Sequence, residues 1–185
     1  MSDRDTARPV FQRLTHSPRL PTASSPQCPL TVLACRVLLL SQVVFHAKLN
    51  TGCRCAVGIE CVAKRAEIST QAKEGLYGEL DRDRLADDLL KGVAFEAADA
   101  CTLPSLDYSH IYIFDRVFSQ HTLTALAKVL QRSSFYIMIS TRKPHVWWGV
   151  GLSKIQPVAK TRLKTTGREG MTAFIYINSH FIPGI

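Results

Sequence analysis

The sequence predicts an α/β fold: a Rossmann-like, mostly parallel sheet with helices on both faces and an antiparallel hairpin at the C-terminal end. Three observations predict it. Apolar runs of strand length alternate with segments of helical period, the pattern of a parallel sheet. Three of those runs end in an acid, at Glu60, Asp99 and Asp115. The last two extended segments are joined by Gly167-Arg-Glu-Gly170, a turn signal between antiparallel strands.

The chain is organised around Ser109-His-Ile-Tyr-Ile-Phe-Asp-Arg-Val-Phe118, an apolar run closed by one acid. Such a run reads as a strand buried on both faces, with Asp115 where it leaves the core. Ligands of open α/β sheets bind beyond the carboxyl ends of the strands. An acid at that position either serves a ligand or caps the following helix.

Upstream, residues 1–30 hold five prolines among Ser, Thr and Arg, a composition expected of a disordered tail. The domain is expected over 31–185, incomplete at its N-terminal end. From Leu30 the chain turns apolar, and Ser41 to Leu49 reads as a helix stopped at Thr51-Gly52. No strand is expected ahead of it. Cys53 to Glu60 follows as a strand, then a helix from Cys61 to Tyr77. Asp81 to Leu90 carries Leu85, Leu89 and Leu90 at helical spacing. Val93 to Asp99 is the next strand and precedes the central one. Leu123, Leu126, Ala127 and Leu130 mark a helix over Thr122–Gln131 with one face inward. Ser134 to Ser140 is a further strand. Pro144 to Gly151, with Trp147 and Trp148, reads as a glycine-punctuated connection. Lys154–Thr166 and Met171–Asn178 form the hairpin.

Composition bounds the function classes. A chain of 185 residues, 46% hydrophobic and 21% charged, is expected to form one globular domain with a tail. No apolar run is long enough to cross a bilayer, and the N-terminus has no stretch of signal-peptide form. The six cysteines form no CxxC pair, which argues against a zinc site and for reduced core thiols. The net charge of +8 divides unevenly: residues 1–50 carry +4, residues 51–110 carry −4 and residues 111–185 carry +8. That asymmetry suggests a polyanionic partner or a nucleic-acid-bound protein as substrate, or else a solvated basic surface with no partner. Lys160, Arg162 and Lys164 alternate along the first hairpin strand and so share a face, with Arg168 in the turn. The stripe is expected either to bind DNA weakly and salt-dependently or to keep an exposed sheet edge from pairing.

The order and spacing of Gln42-Val-Val, Val57-Gly-Ile-Glu60, Glu96-Ala-Ala-Asp99 and Tyr112-Ile-Phe-Asp-Arg-Val-Phe118 resemble the class I S-adenosylmethionine-dependent methyltransferases. Within that class they most resemble the disruptor-of-telomeric-silencing family of histone-lysine methyltransferases. The resemblance runs from about Gln42 to Asn178. It implies a seven-stranded sheet with strand seven antiparallel, S-adenosyl-L-methionine as cofactor, a histone or nucleosome as substrate, and a nuclear location. It further implies Glu60 on the cofactor ribose, Asp99 and Ala100 at the adenine with Cys61 nearby, and Gln42 near the methionine portion. Asp115 would meet the cofactor's amino group, and Phe118 would line the lysine channel as the other catalytic-site residue. The chain departs from the pattern in two places. Asp115-Arg116 stands where the family has asparagine, and Leu33 to Ser41 holds no glycine where a glycine-rich loop is expected. Two alternatives stay open: a catalytically inactive binding protein of the same fold, and a nicotinamide-dependent oxidoreductase.

Overall fold

The computed structural model describes residues 31–35, 40–81, 86–163 and 170–181. Among them run β1 (Thr31–Cys35), α1 (Leu40–Thr51), β2 (Cys55–Glu60), α2 (Ala63–Asp81), α3 (Ala86–Leu90) and β3 (Val93–Ala97). β4 (His110–Ile113), α4 (Gln120–Arg132), β5 (Ile137–Ser140), α5 (Pro144–Gly149), β6 (Ile155–Leu163) and β7 (Met171–Asn178) follow, with a 3-10 turn at Ser179–Phe181. The seven strands make one sheet in the order β3-β2-β1-β4-β5-β7-β6. β1 to β5 pair in parallel, while β7 runs antiparallel to both β5 and β6. β6 therefore points the same way as the first five, and β7 alone is reversed.

Two apolar layers follow from the two-residue period of the strands. Ile59, Ile111, Ile113 and Met138 face one layer, where α4 contributes Leu123, Leu126, Ala127 and Leu130. Ala56, Val93, Phe95 and Tyr112 face the other, against Val43, Val44 and Phe45 of α1. α4 is a strongly amphipathic helix with defined ends. Ser119 caps its start, its hydroxyl accepting from the Thr122 amide at 3.1 Å. At the other end the buried Ser133 hydroxyl donates to Val129 O and accepts from Leu106 N, each at 2.7 Å. Each fully buried leucine on its inner face stabilises the layer by roughly 1.5–3 kcal/mol relative to exposure.

Two glycines are needed where they stand. Gly52 ends α1 at φ 63°, its amide donating to Lys48 O at 3.2 Å. Gly92 turns the chain from α3 into β3 at φ 81°, and a Cβ there would collide with the Arg54 carbonyl. That close approach lets Gly92 O accept from Ala56 N at 2.9 Å and starts the β2–β3 ladder.

The elements match the expected alternation with two corrections. The apolar segment ahead of α1 holds a strand, β1, in the middle of the sheet between β2 and β4. Pro144 to Gly149 is a short helix rather than a connection, with Trp147 fully buried in the layer. Residues 1–30 and the hairpin turn, including Lys164 and Arg168, lie outside the described residues. No helix among the described residues is long and apolar enough to cross a membrane.

Candidate functional site

Because β2, β3 and β4 run in parallel, their three terminal acids all reach one edge of the sheet, as expected. Glu60 ends β2, and its Cα lies opposite Ala97 of β3. The Ala98 amide donates to Glu60 O at 3.0 Å, which brings the Asp99 segment alongside. The three carboxylates nevertheless have different surroundings.

Glu60 is fully buried. Its Oε1 accepts from the Val62 amide at 2.9 Å and from the Cys61 thiol at 3.5 Å. Its Oε2 has no hydrogen-bond partner, one of three such buried side-chain atoms among the described residues. The nearest cation, Arg65 Nη1, stands 3.9 Å away on a guanidinium 43% exposed to solvent. A buried carboxylate oxygen without a donor costs on the order of 1–3 kcal/mol or more. A ligand that brings a hydroxyl to this atom recovers that cost.

Asp99 is exposed, with Oδ1 accepting from the Cys101 amide at 2.9 Å. Asp99, Ala100, Cys101 and Cys61 border an apolar recess closed by Ile59, Phe118, Thr122 and Leu126. Its volume is about 30 Å³, the space of one water. A purine is several times larger, so the recess as it stands takes only part of one. Phe118 is buried, and it stands with the residues that the resemblance assigns to the adenine rather than apart from them.

Asp115 neither caps α4, which Ser119 does, nor opens onto the recess. It is fully buried beyond β4 and accepts from Ser140 Oγ, Thr141 Oγ1 and, at 2.9 Å, the Thr141 amide. Ser140 Oγ also accepts from Trp147 Nε1 at 2.8 Å and from the Arg142 amide at 3.0 Å. The Arg142 guanidinium donates to the carbonyls of Asp115, Arg116 and Phe118 at 2.9–3.1 Å. Tyr176 of β7 donates to Arg142 O at 2.6 Å. Burial, and next the Asp115 charge, push the Tyr112 and Tyr176 hydroxyls above the ordinary tyrosine pKa. Asp115 thus fastens the end of β4 to the end of β5, and Arg142 fixes the turn that carries Phe118. Neither Arg142 nor Ser140 stands out in the sequence, because the groups that they engage on Asp115, Arg116 and Phe118 lie 24 to 27 residues away.

Gln42 lies exposed in the first turn of α1, seven residues past the end of β1 in sequence. Cys61 is exposed beside Glu60. Lys160 and Arg162 lie exposed on β6, at the far side of the sheet from Glu60.

No family model matches the sequence, and no curated protein does. Solved structures do match. TrmN from Thermus thermophilus superposes with a TM-score of 0.56 at 13% identity, covering 81% of this chain. TrmK of M. capricolum, solved with S-adenosyl-homocysteine, gives 0.54 at 10% identity over 80% of this chain. The fold is Rossmann-like, the one that these solved methyltransferases share. The N-methyltransferase NodS from Bradyrhizobium japonicum WM9 gives 0.51 at 10% identity over 82% of this chain. The chain spans 44% of TrmN, 62% of TrmK and 86% of NodS.

Proposed function

We propose that this chain is an S-adenosylmethionine-dependent methyltransferase, with the cofactor held at the carboxyl ends of β2 and β3. The observation that carries the reading is the unpartnered, buried Oε2 of Glu60. An acid in that position of an α/β sheet accepts from ribose hydroxyls, and this one has an acceptor site to spare. Asp99 offers its outer carboxylate oxygen beside Ala100, where an exocyclic amine can donate, and Phe118 supplies an apolar wall.

When bound, S-adenosylmethionine supplies a methyl group on a sulfonium, electrophilic enough that the transfer needs little acid–base assistance. What the chain itself does is align and exclude water. Glu60 fixes the nucleoside end through a carboxylate that already has one oxygen engaged by Val62 N. Arg142 holds the 115–118 turn rigid through its carbonyls, and Phe118 with it. Asp115, its oxygens engaged by Ser140 and Thr141, keeps β4 and β5 in register below the site.

A histone lysine of the nucleosome core as acceptor, and with it a nuclear location, is the narrower reading. It draws support from the motif resemblance over Gln42–Asn178 and from the excess positive charge of residues 111–185. Titration calorimetry with S-adenosylmethionine and its demethylated product tests the cofactor. Binding of both is expected, and no heat with either overturns the proposal. Labelled methyl groups offered with nucleosomes, free histones and RNA then test the acceptor. Incorporation into RNA alone would reject the histone reading while leaving the transferase.

A further inference from the structure

We propose that a groove between the start of α5 and the β6–β7 hairpin binds a single strand of nucleic acid. Lys143, His145, Lys160, Arg162, Thr172 and Phe174 line this groove of about 560 Å³. In the antiparallel ladder Lys160 lies opposite Phe174 and Arg162 opposite Thr172, so these four side chains share one face of the sheet. Phe174 also pairs with Ser140, the last residue of β5, which puts this end of the groove level with the carboxyl edge that carries Glu60.

Charge selects the ligand class. Lys143, His145, Lys160 and Arg162 are all exposed, and no acid among the described residues lines the groove. The two ion pairs found among the described residues lie on α2 and at the end of β2, so neither engages these cations. Three unpaired cations along one cleft suit successive phosphates. The half-buried ring of Phe174 in the same wall offers a face on which a base can stack. A recess of this size admits a nucleotide with its base turned in, whereas a duplex keeps its bases stacked away from such a wall. The occupant is therefore a single strand rather than a double one.

The proposal does not depend on methyl transfer, since the binding measurement contains no cofactor. A fluorescent oligothymidine titrated by anisotropy into the full chain is expected to bind and to weaken about twentyfold between about 50 and 200 mM salt, the slope for three phosphate contacts on a single strand. Lys143→Ser, Lys160→Ser and Arg162→Ser combined should remove that slope and most of the affinity. All three positions are exposed, so thermal unfolding of the triple variant should match the parent. Phe174→Leu should lose several-fold on oligothymidine and nothing on an abasic oligomer of equal length. Equal affinity of the triple variant and the parent would overturn the proposal, and so would tighter binding of duplex than of single strand.

Discussion

The amide of Thr141, just past β5, donates to Asp115 Oδ1 at 2.9 Å across the gap between two neighbouring strands. This contact, with the hydroxyls of Thr141 and Ser140 on the same carboxylate, makes Asp115 the fastening of the sheet's middle. Removing it leaves three buried or half-buried donors without their acceptor. Asp115→Ala is therefore expected to lower the unfolding free energy by about 3 kcal/mol. Ser140→Ala should cost roughly 1 kcal/mol by the same reasoning. Urea denaturation measures both, and an Asp115→Ala midpoint equal to the parent's would show that the carboxylate holds nothing.

Glu60 answers to a different measurement. Glu60→Gln keeps the shape and one carbonyl acceptor but loses the charge that strengthens a ribose contact. Cofactor affinity is expected to fall by roughly 1.5–3 kcal/mol, the usual worth of a hydrogen bond to a charged group. Calorimetry reads this directly, and an unchanged dissociation constant would take Glu60 out of the site.

The two glycines separate conformational cost from collision. Gly52→Ala places a side chain at φ 63° with nothing within 4 Å, so the left-handed backbone alone should cost about 1–2 kcal/mol. Gly92→Ala has the same backbone cost, and its Cβ also meets the Arg54 carbonyl. It should destabilise by about 3 kcal/mol or more, with β2–β3 pairing lost first. Equal midpoints for the two variants would mean that the turn at Gly92 relaxes freely.

Alkaline stability follows from the tyrosines. Burial first, then the charges of Glu96, Asp107 and Cys55, push the Tyr108 pKa from 10.0 up to about 12, and Tyr112 and Tyr176 are also raised. A raised folded-state pKa means that this stability is fully present below pH 10. It is lost as the pH climbs from there through the folded values, because the unfolded chain gives up its protons first. Phenolate absorbance should therefore show these three of the five tyrosines ionising late, with unfolding steepening above pH 10. A single smooth titration of all five centred near pH 10 would contradict it.

Sequence reasoning reached furthest where the signal is local. α4 declares itself through Leu123, Leu126, Ala127 and Leu130, and Glu60 through the apolar strand that it ends. β1 is hidden because one apolar stretch runs from strand into helix with no glycine between them to break the period. α5 is hidden because Gly149 and Gly151 read as loop while Trp147, the residue that buries it, has its partner on Ser140. The assignment of Asp115 to ligand work missed its true partners for the same reason. A strand-end acid looks alike in sequence whether its donors come from a bound molecule or from a strand 25 residues on.

The place of β6 has a consequence for how the chain comes off the ribosome. Its one neighbour among the described strands, β7, is translated after it. Until β7 slots in, the new strand has no ladder partner, and β5 waits with an open side. Such an interval invites pairing with another nascent chain. β6 is exposed along nearly its whole length and carries Lys160 and Arg162 there, with Pro157 lacking an amide to donate. Lysine, arginine and proline on an exposed strand are residues that disfavour pairing with another copy of it.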